Sequence, residues 1–170
     1  MAYFARIKSI LNVIRTGAGF GDYGAGITAD CPNIDTTLGE GTGSSQFDRW
    51  LYDSRSLGAG ANEDLDLQTI LDAAGVALGL AEVRFIRIEC DSGNNGPLEY
   101  KASAATGWLG AAAWTKDVSD IMSAPPGGAI QYEGFINGSN VVAAGSKCIN
   151  IKNTGAGAGV YRIHILGCSA

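Results

Sequence analysis

Residues 62–90, NEDLDLQTILDAAGVALGLAEVRFIRIEC, constrain the fold more than any other stretch. They open with Asp64-Leu65-Asp66-Leu67, an alternation with the two-residue period of a strand. A short helix-like turn is expected over residues 69–74, closed by Gly75. The stretch ends on residues 81–90, where Arg84, Arg87 and Glu89 interrupt Val83, Phe85, Ile86 and Ile88. A parallel strand covered on both faces tolerates little charge, so an antiparallel strand with one wet face is expected. Ile86, Ile88 and Cys90 then share the inward face. Arg87 and Glu89 point outward, towards water or a neighbouring subunit.

Glycine supports the same class. The chain has 170 residues, 25 of them Gly, without a collagen period. That many glycines imply tight turns between short elements, hence an all-β domain. A hydrophobic fraction of 46% is enough for a core, and the length suits one domain. The net charge of −5 argues against sequence-independent nucleic-acid binding, which needs a basic surface. No run approaches the roughly 18 apolar residues of a membrane span. Residues 1–15, MAYFARIKSILNVIR, are apolar but broken by Arg6, Lys8 and Arg15, so they lack a continuous signal-peptide core. The expected location is a cytoplasm, or a particle assembled there.

Residues 3–15 fit both periods: Tyr3, Ala5 and Ile7 alternate, while Ile7, Ile10, Leu11 and Ile14 have helical spacing. An arm that orders against a partner is one expectation. The loop GAGFGDYGAG at 17–26 lacks the Lys, Ser/Thr and helix of a phosphate cradle. Residues 30–38 read as extended and 47–57 as an aromatic strand. DSGNNGP at 91–97 is a turn. Strands follow at 98–102, at 129–135 after the Pro125-Pro126-Gly127-Gly128 turn, at 141–152 and at 160–166. In the last, Tyr161, Ile163 and Ile165 share one face, with Arg162 and His164 on the other. About seven or eight antiparallel strands make a sandwich or barrel, and a jelly roll is favoured. Residues 1–60 would supply an extended N-terminal arm and first strands with glycine-rich loops. Residues 61–170 would form the main part of a single jelly-roll domain.

The chemistry-bearing residues do not assemble a reaction centre. His164 is the only histidine, so a multi-histidine metal centre is out of reach, and no GxSxG elbow is present. Asp64 and Asp66, beside Glu63, share a strand face but lack the Gly and closing Glu of an EF-hand loop. Glu89, Glu99 and Glu133 offer carboxylate pairs without signalling any. Trp50, Trp108 and Trp114 fit either core packing or a sugar platform. None of Cys31, Cys90, Cys148 and Cys168 forms a CxxC pair. If the last two strands pair about NTGAGAG, Cys148 and Cys168 come near each other, and both a disulfide and buried thiols fit.

The order of these pieces resembles that of small structural proteins of tailed bacteriophages. The resemblance rests on Asp64-Leu65-Asp66-Leu67, Leu71-Asp72-Ala73-Ala74-Gly75, residues 83–88, Pro125-Pro126-Gly127-Gly128, Cys148-Ile149-Asn150-Ile151 with Asn153, and residues 160–167. Residues 1–60 carry none of it. It implies a single jelly roll and a capsid decoration, or cement, protein. Such a protein stands as a homotrimer on the outside of the head and binds the major capsid protein. It is no enzyme and has no cofactor, metal, nucleic-acid or membrane partner. On this expectation Arg84, Arg87, Tyr161 and His164 lie between subunits, and Phe4, Arg6, Lys8 and Arg15 face the capsid. The alternative is a carbohydrate-binding jelly-roll module of a phage tail or host-recognition fibre.

Overall fold

A computed structural model describes residues 5–9, 12–14, 28–30, 34–72, 74–102, 107–108, 120–134 and 141–169. All the regular structure among them is strand, and all the strand pairings are antiparallel. No helix there is long and apolar enough to cross a membrane. The chain divides into two compact units, Met1–Gly39 and Glu40–Ala170. The boundary expected near residue 60 therefore falls inside the second unit.

In the first unit, β1 (Ala5–Ser9) pairs with β4 (Ile34–Glu40), and β2 (Asn12–Ile14) pairs with β3 (Thr28–Asp30). The strand reading of residues 3–15 thus prevails over the helical one at 5–9 and 12–14. The expected arm is paired within its own chain at those positions.

The second unit begins with the two-residue β5 (Gln46–Phe47). Eight strands follow: β6 (Arg49–Leu57), β7 (Asn62–Asp66), β8 (Glu82–Cys90), β9 (Leu98–Ala102), β10 (Met122–Ala124), β11 (Ala129–Glu133), β12 (Cys148–Asn153) and β13 (Gly159–Cys168). They form two four-stranded sheets, in the orders β11-β8-β13-β6 and β10-β9-β12-β7. One core joins the inner faces. Leu51, Ile86, Ile88, Tyr161, Ile163 and Ile165 come from the first sheet, and Leu65, Leu98, Tyr100, Ile149 and Ile151 from the second. Each such Leu or Ile contributes about 1.5–3 kcal/mol on leaving water. Trp108 closes the core at 2% exposure, edge-on to Tyr132 at 6.0 Å.

Several local expectations change. The helix-like turn expected over residues 69–74 lies earlier, at residues 67–69, where Ile70 N–H donates to the Asp66 carbonyl; Leu71 then bridges Ala77, and Gly75 N–H donates to the Asp72 carbonyl. Strand structure expected from residue 141 begins only at Cys148, after a turn in which Ala143 and Ser146 bond each other. β12 and β13 do not pair. They belong to opposite sheets, and Cys148 and Cys168 are free and buried. Asn153 fixes this crossing from 1% exposure: its Nδ2 donates to the carbonyls of Leu57, Gly58 and Gly157, and its Oδ1 accepts the Gly155 N–H. The Pro-rich turn also crosses between sheets. Gly127 takes φ +79°, a conformation that glycine adopts without a Cβ penalty.

Candidate interaction face and edge groove

The outer face of β11-β8-β13-β6 presents side chains in cross-strand rows. Glu133, Phe85, Leu166 and Trp50 form one row, and Gln131, Arg87, His164 and Tyr52 form the next. Glu89, Arg162 and Ser54 form a third. Arg87 Nε donates to Glu89 at 2.7 Å and its Nη1 to Gln131 at 3.0 Å. Arg162 pairs with Asp91 at 2.6 Å, and the rings of Tyr52 and His164 lie 4.6 Å apart. The hydrogen bond from Arg87 lowers the Glu89 pKa below the ordinary carboxylate value. Burial lowers that of His164; the charges of Arg87 and Arg162 add to this and that of Glu89 opposes it.

β6 is the edge strand of this sheet. Two grooves follow one another along it. The first, about 430 Å³, lies between residues 48–52 and the loop 72–78, with Trp50, Tyr52, Val76 and Leu78 in its lining. The second, about 370 Å³, is lined by Asp53, Arg55, Asp64, Asp66, Thr69 and Leu71 among others. Trp50, Tyr52, Leu71 and Val76 are four of the six exposed large hydrophobic side chains among the described residues. Exposed apolar side chains gathered in this way are a candidate contact surface.

Three charged side chains of the first groove are bonded within the chain. Asp48 accepts the Ser169 N–H at 2.7 Å and the Ser169 hydroxyl. Asp72 Oδ1 accepts the N–H groups of Ala74 and Val76, each at 2.9 Å, and Arg49 Nε donates to the Leu78 carbonyl at 3.1 Å. In the second groove, Arg55 bonds Asp53 at 2.8 Å and Glu63 at 2.9 Å. Lys147 pairs with Asp66 at 2.6 Å. Burial raises the Asp66 pKa, but the hydrogen bond from Lys147 and those from the backbone of Gln68 and Thr69 outweigh it and hold the carboxyl below its ordinary range.

Of the residues expected between subunits, Arg87 and His164 lie on the outer face, half-buried. Arg84 and Tyr161 do not: both are 0% exposed within their own chain. A bulge between Leu166 and Gly167 leaves Arg84 outside the regular register. A Cβ at Gly167 would strike the Glu82 carbonyl oxygen, so the irregular register needs glycine there. Arg84 then pairs with Glu82 at 2.6 Å and donates to the carbonyls of Thr42, Gly43 and Gln46, each at 3.3 Å. It ties a loop to the sandwich and offers a neighbour no surface. Tyr161 faces the core because its period matches that of Ile163 and Ile165.

Of the residues expected to face the capsid, Arg6 and Lys8 fall in β1, while Phe4 and Arg15 lie outside the described residues. Trp108 is a core residue, and Trp114 lies outside the described residues. Glu89 and Glu133 stand on one sheet and Glu99, 3.9 Å from Lys152, on the other. Among the described residues no three His, Cys, Asp or Glu side chains are arranged to hold a metal ion.

Sequence reading missed Tyr52, which the i, i+2 spacing from Trp50 in RWLYDSRSL signals. It also missed the asparagine ties. Asn94 donates to the Val160 carbonyl at 2.8 Å and accepts the Val160 N–H at 2.7 Å, and nothing local to NNG points to that partner. The chain was compared with protein-family models and with curated proteins, and neither comparison gave a match.

Proposed function

We propose that this chain is a virion structural protein of the capsid-decoration kind. It binds the outside of a tailed-phage head as a homotrimer and stabilises the lattice of the major capsid protein. The reading takes the unit Glu40–Ala170 as a jelly roll. With β6 counted first and β13 eighth, its sheets run 1-8-3-6 and 2-7-4-5. In that order 1 lies beside 8, 2 beside 7, 3 beside 6 and 4 beside 5, as in a hairpin ribbon wrapped round a sandwich. Viral capsid and lectin domains share this plan.

The observation that carries the reading is the gathering of Trp50, Tyr52, Leu71 and Val76 at one edge of a β body. A decoration protein works through such a surface. Because it binds only the assembled lattice, it stabilises the lattice by mass action, and several copies of one weak contact add up. The groove favours a protein partner over a sugar. The charged groups that would grip a sugar, Asp48, Arg49 and Asp72, already bond partners within the chain. Arg87 and His164 remain the proposed subunit contacts, and Phe4, Arg6, Lys8 and Arg15 the proposed capsid contacts.

Negative-stain images of capsids with and without the purified protein, together with light scattering, test the reading. A trimer that decorates heads is expected, with decoration lost in Trp50→Ser. A stable monomer that leaves heads bare overturns it.

A further inference from the structure

We infer that Asn95 is a site of spontaneous, enzyme-free modification. In the folded chain its side-chain amide is lost to attack by the Gly96 backbone nitrogen, which leaves aspartate or isoaspartate at this position. The inference concerns the chemistry of one turn and does not depend on the capsid reading.

The first ground is the pair of residues. Asparagine is thermolabile. The turn DSGNNGP at 91–97 places Asn95 directly before Gly96. Closing a five-membered ring brings the Gly96 nitrogen to Asn95 Cγ, and a following residue without a Cβ leaves that approach open. Asn95 is exposed and lies in a bend outside the strands.

The second ground is hydrogen bonding. Within the described structure neither the Asn95 side chain nor the Gly96 N–H takes part in a hydrogen bond. The amide is free to rotate, and the N–H is open to a base. Neighbouring asparagines are held. Asn94 is buried and exchanges two bonds with the Val160 backbone. Asn150 is buried and donates to Asp64 at 2.8 Å. Asn153 is buried and bonds through both its amide atoms. None of these three precedes a glycine. The other Asn-Gly pair of the sequence, Asn137-Gly138, lies outside the described residues.

The third ground is that the fold keeps glycine at position 96. A Cβ there would sit 2.8 Å from the Gly155 Cα, and one on Gly155 would sit 3.1 Å from the Gly96 nitrogen. The turns at 91–97 and 153–159 meet backbone to backbone at this point. The packing that joins them therefore maintains the susceptible pair.

The step balances without an oxidant or a cofactor. Base takes the Gly96 amide proton, and the nitrogen attacks Asn95 Cγ. The new N–Cγ bond forms as the Cγ–Nδ2 bond breaks, and the amide nitrogen takes up a proton and leaves as ammonia. Water then opens the ring at Cγ to give aspartate, or at the Asn95 backbone carbonyl carbon to give isoaspartate.

The test incubates the full chain and a synthetic peptide of residues 91–101, DSGNNGPLEYK, side by side at neutral and mildly alkaline pH. Tandem mass spectrometry of the tryptic fragment 88–101 locates the change, and methyl transfer by an isoaspartyl methyltransferase reports isoaspartate. Conversion at Asn95 in the folded chain is expected within about tenfold of the peptide rate, and at least about tenfold faster than at Asn94, Asn150 or Asn153. It should quicken with alkali, as removal of an amide proton requires. Asn95→Gln, at an exposed position, should abolish methyl acceptance in that fragment and leave the melting temperature unchanged. Asn95 persisting in the folded chain while the peptide converts overturns the inference. So does conversion of Asn94 or Asn153 as fast as that of Asn95, or equal methyl acceptance by the fragment from Asn95→Gln.

Discussion

Tyr161 on β13 donates its hydroxyl to Glu63 on β7 at 2.7 Å, a bond that crosses from one sheet to the other. Glu63 also holds Arg55 at 2.9 Å, so three residues of three strands meet between the layers. Removing the hydroxyl leaves Glu63 its partner Arg55 but breaks the buried link. Tyr161→Phe is expected to cost about 2 kcal/mol, as for hydrogen bonds to charged groups, read from urea midpoints at constant slope.

The same tyrosine predicts how the protein responds to alkali. Burial raises the Tyr161 pKa, and the bond to Glu63 raises it further; burial likewise raises that of Tyr100. The unfolded chain loses these protons near pH 10, about the ordinary tyrosine value, while the folded chain retains them. Stability is therefore full below that pH and falls as pH rises above it. Thermal melts between pH 9 and 12 should show the fall, reduced in Tyr161→Phe.

Tyr100 should behave in the opposite way on substitution. It is 0% exposed, and its hydroxyl is buried without a hydrogen-bond partner. Tyr100→Phe removes an unsatisfied group at little change in shape, so it should be neutral or stabilising by about 1 kcal/mol. Parallel urea titrations of the two Tyr→Phe variants should move the midpoint in different directions or by clearly different amounts.

Arg84 is the costliest charged position to truncate. Arg84→Met removes the 2.6 Å ion pair to Glu82 and the bonds to the Thr42, Gly43 and Gln46 carbonyls, which should cost about 3–5 kcal/mol. Adding Glu82→Gln should recover part of that loss, because it removes the charge that Arg84 opposed. A double-mutant cycle from chemical denaturation measures the recovery.

His164 predicts a shift on the acid side. Its pKa is depressed by burial, helped by Arg87 and Arg162, so the folded state resists its protonation. Its contribution is complete above about pH 6.5 and is lost as pH falls below it. Melting temperatures at pH 7 and pH 5 should differ less in His164→Asn than in the parent chain.

Much of the sandwich could be read from local pattern. The strand at 98–102 coincides with β9, and the inward set Ile86, Ile88 and Cys90 is buried as its alternation predicts. Tyr161, Ile163 and Ile165 likewise face the core. The edge groove was harder to see. Trp50 and Tyr52 are ordinary strand aromatics until the 72–78 loop, brought beside them by tertiary folding, makes a wall.

The sequence by itself determined the β class and which face of most strands is apolar, because a two-residue period needs no knowledge of the partner strand. It did not determine which strands pair. NTGAGAG reads as a hairpin turn, yet Asn153 binds the Gly157 carbonyl within it and the Leu57 and Gly58 carbonyls at the end of β6, and β13 enters the opposite sheet. Arg84 reads as a surface charge, yet a bulge 82 residues later in the chain leaves room for it inside. Such outcomes depend on backbone groups far apart in sequence, and only the tertiary structure brings them within hydrogen-bonding reach.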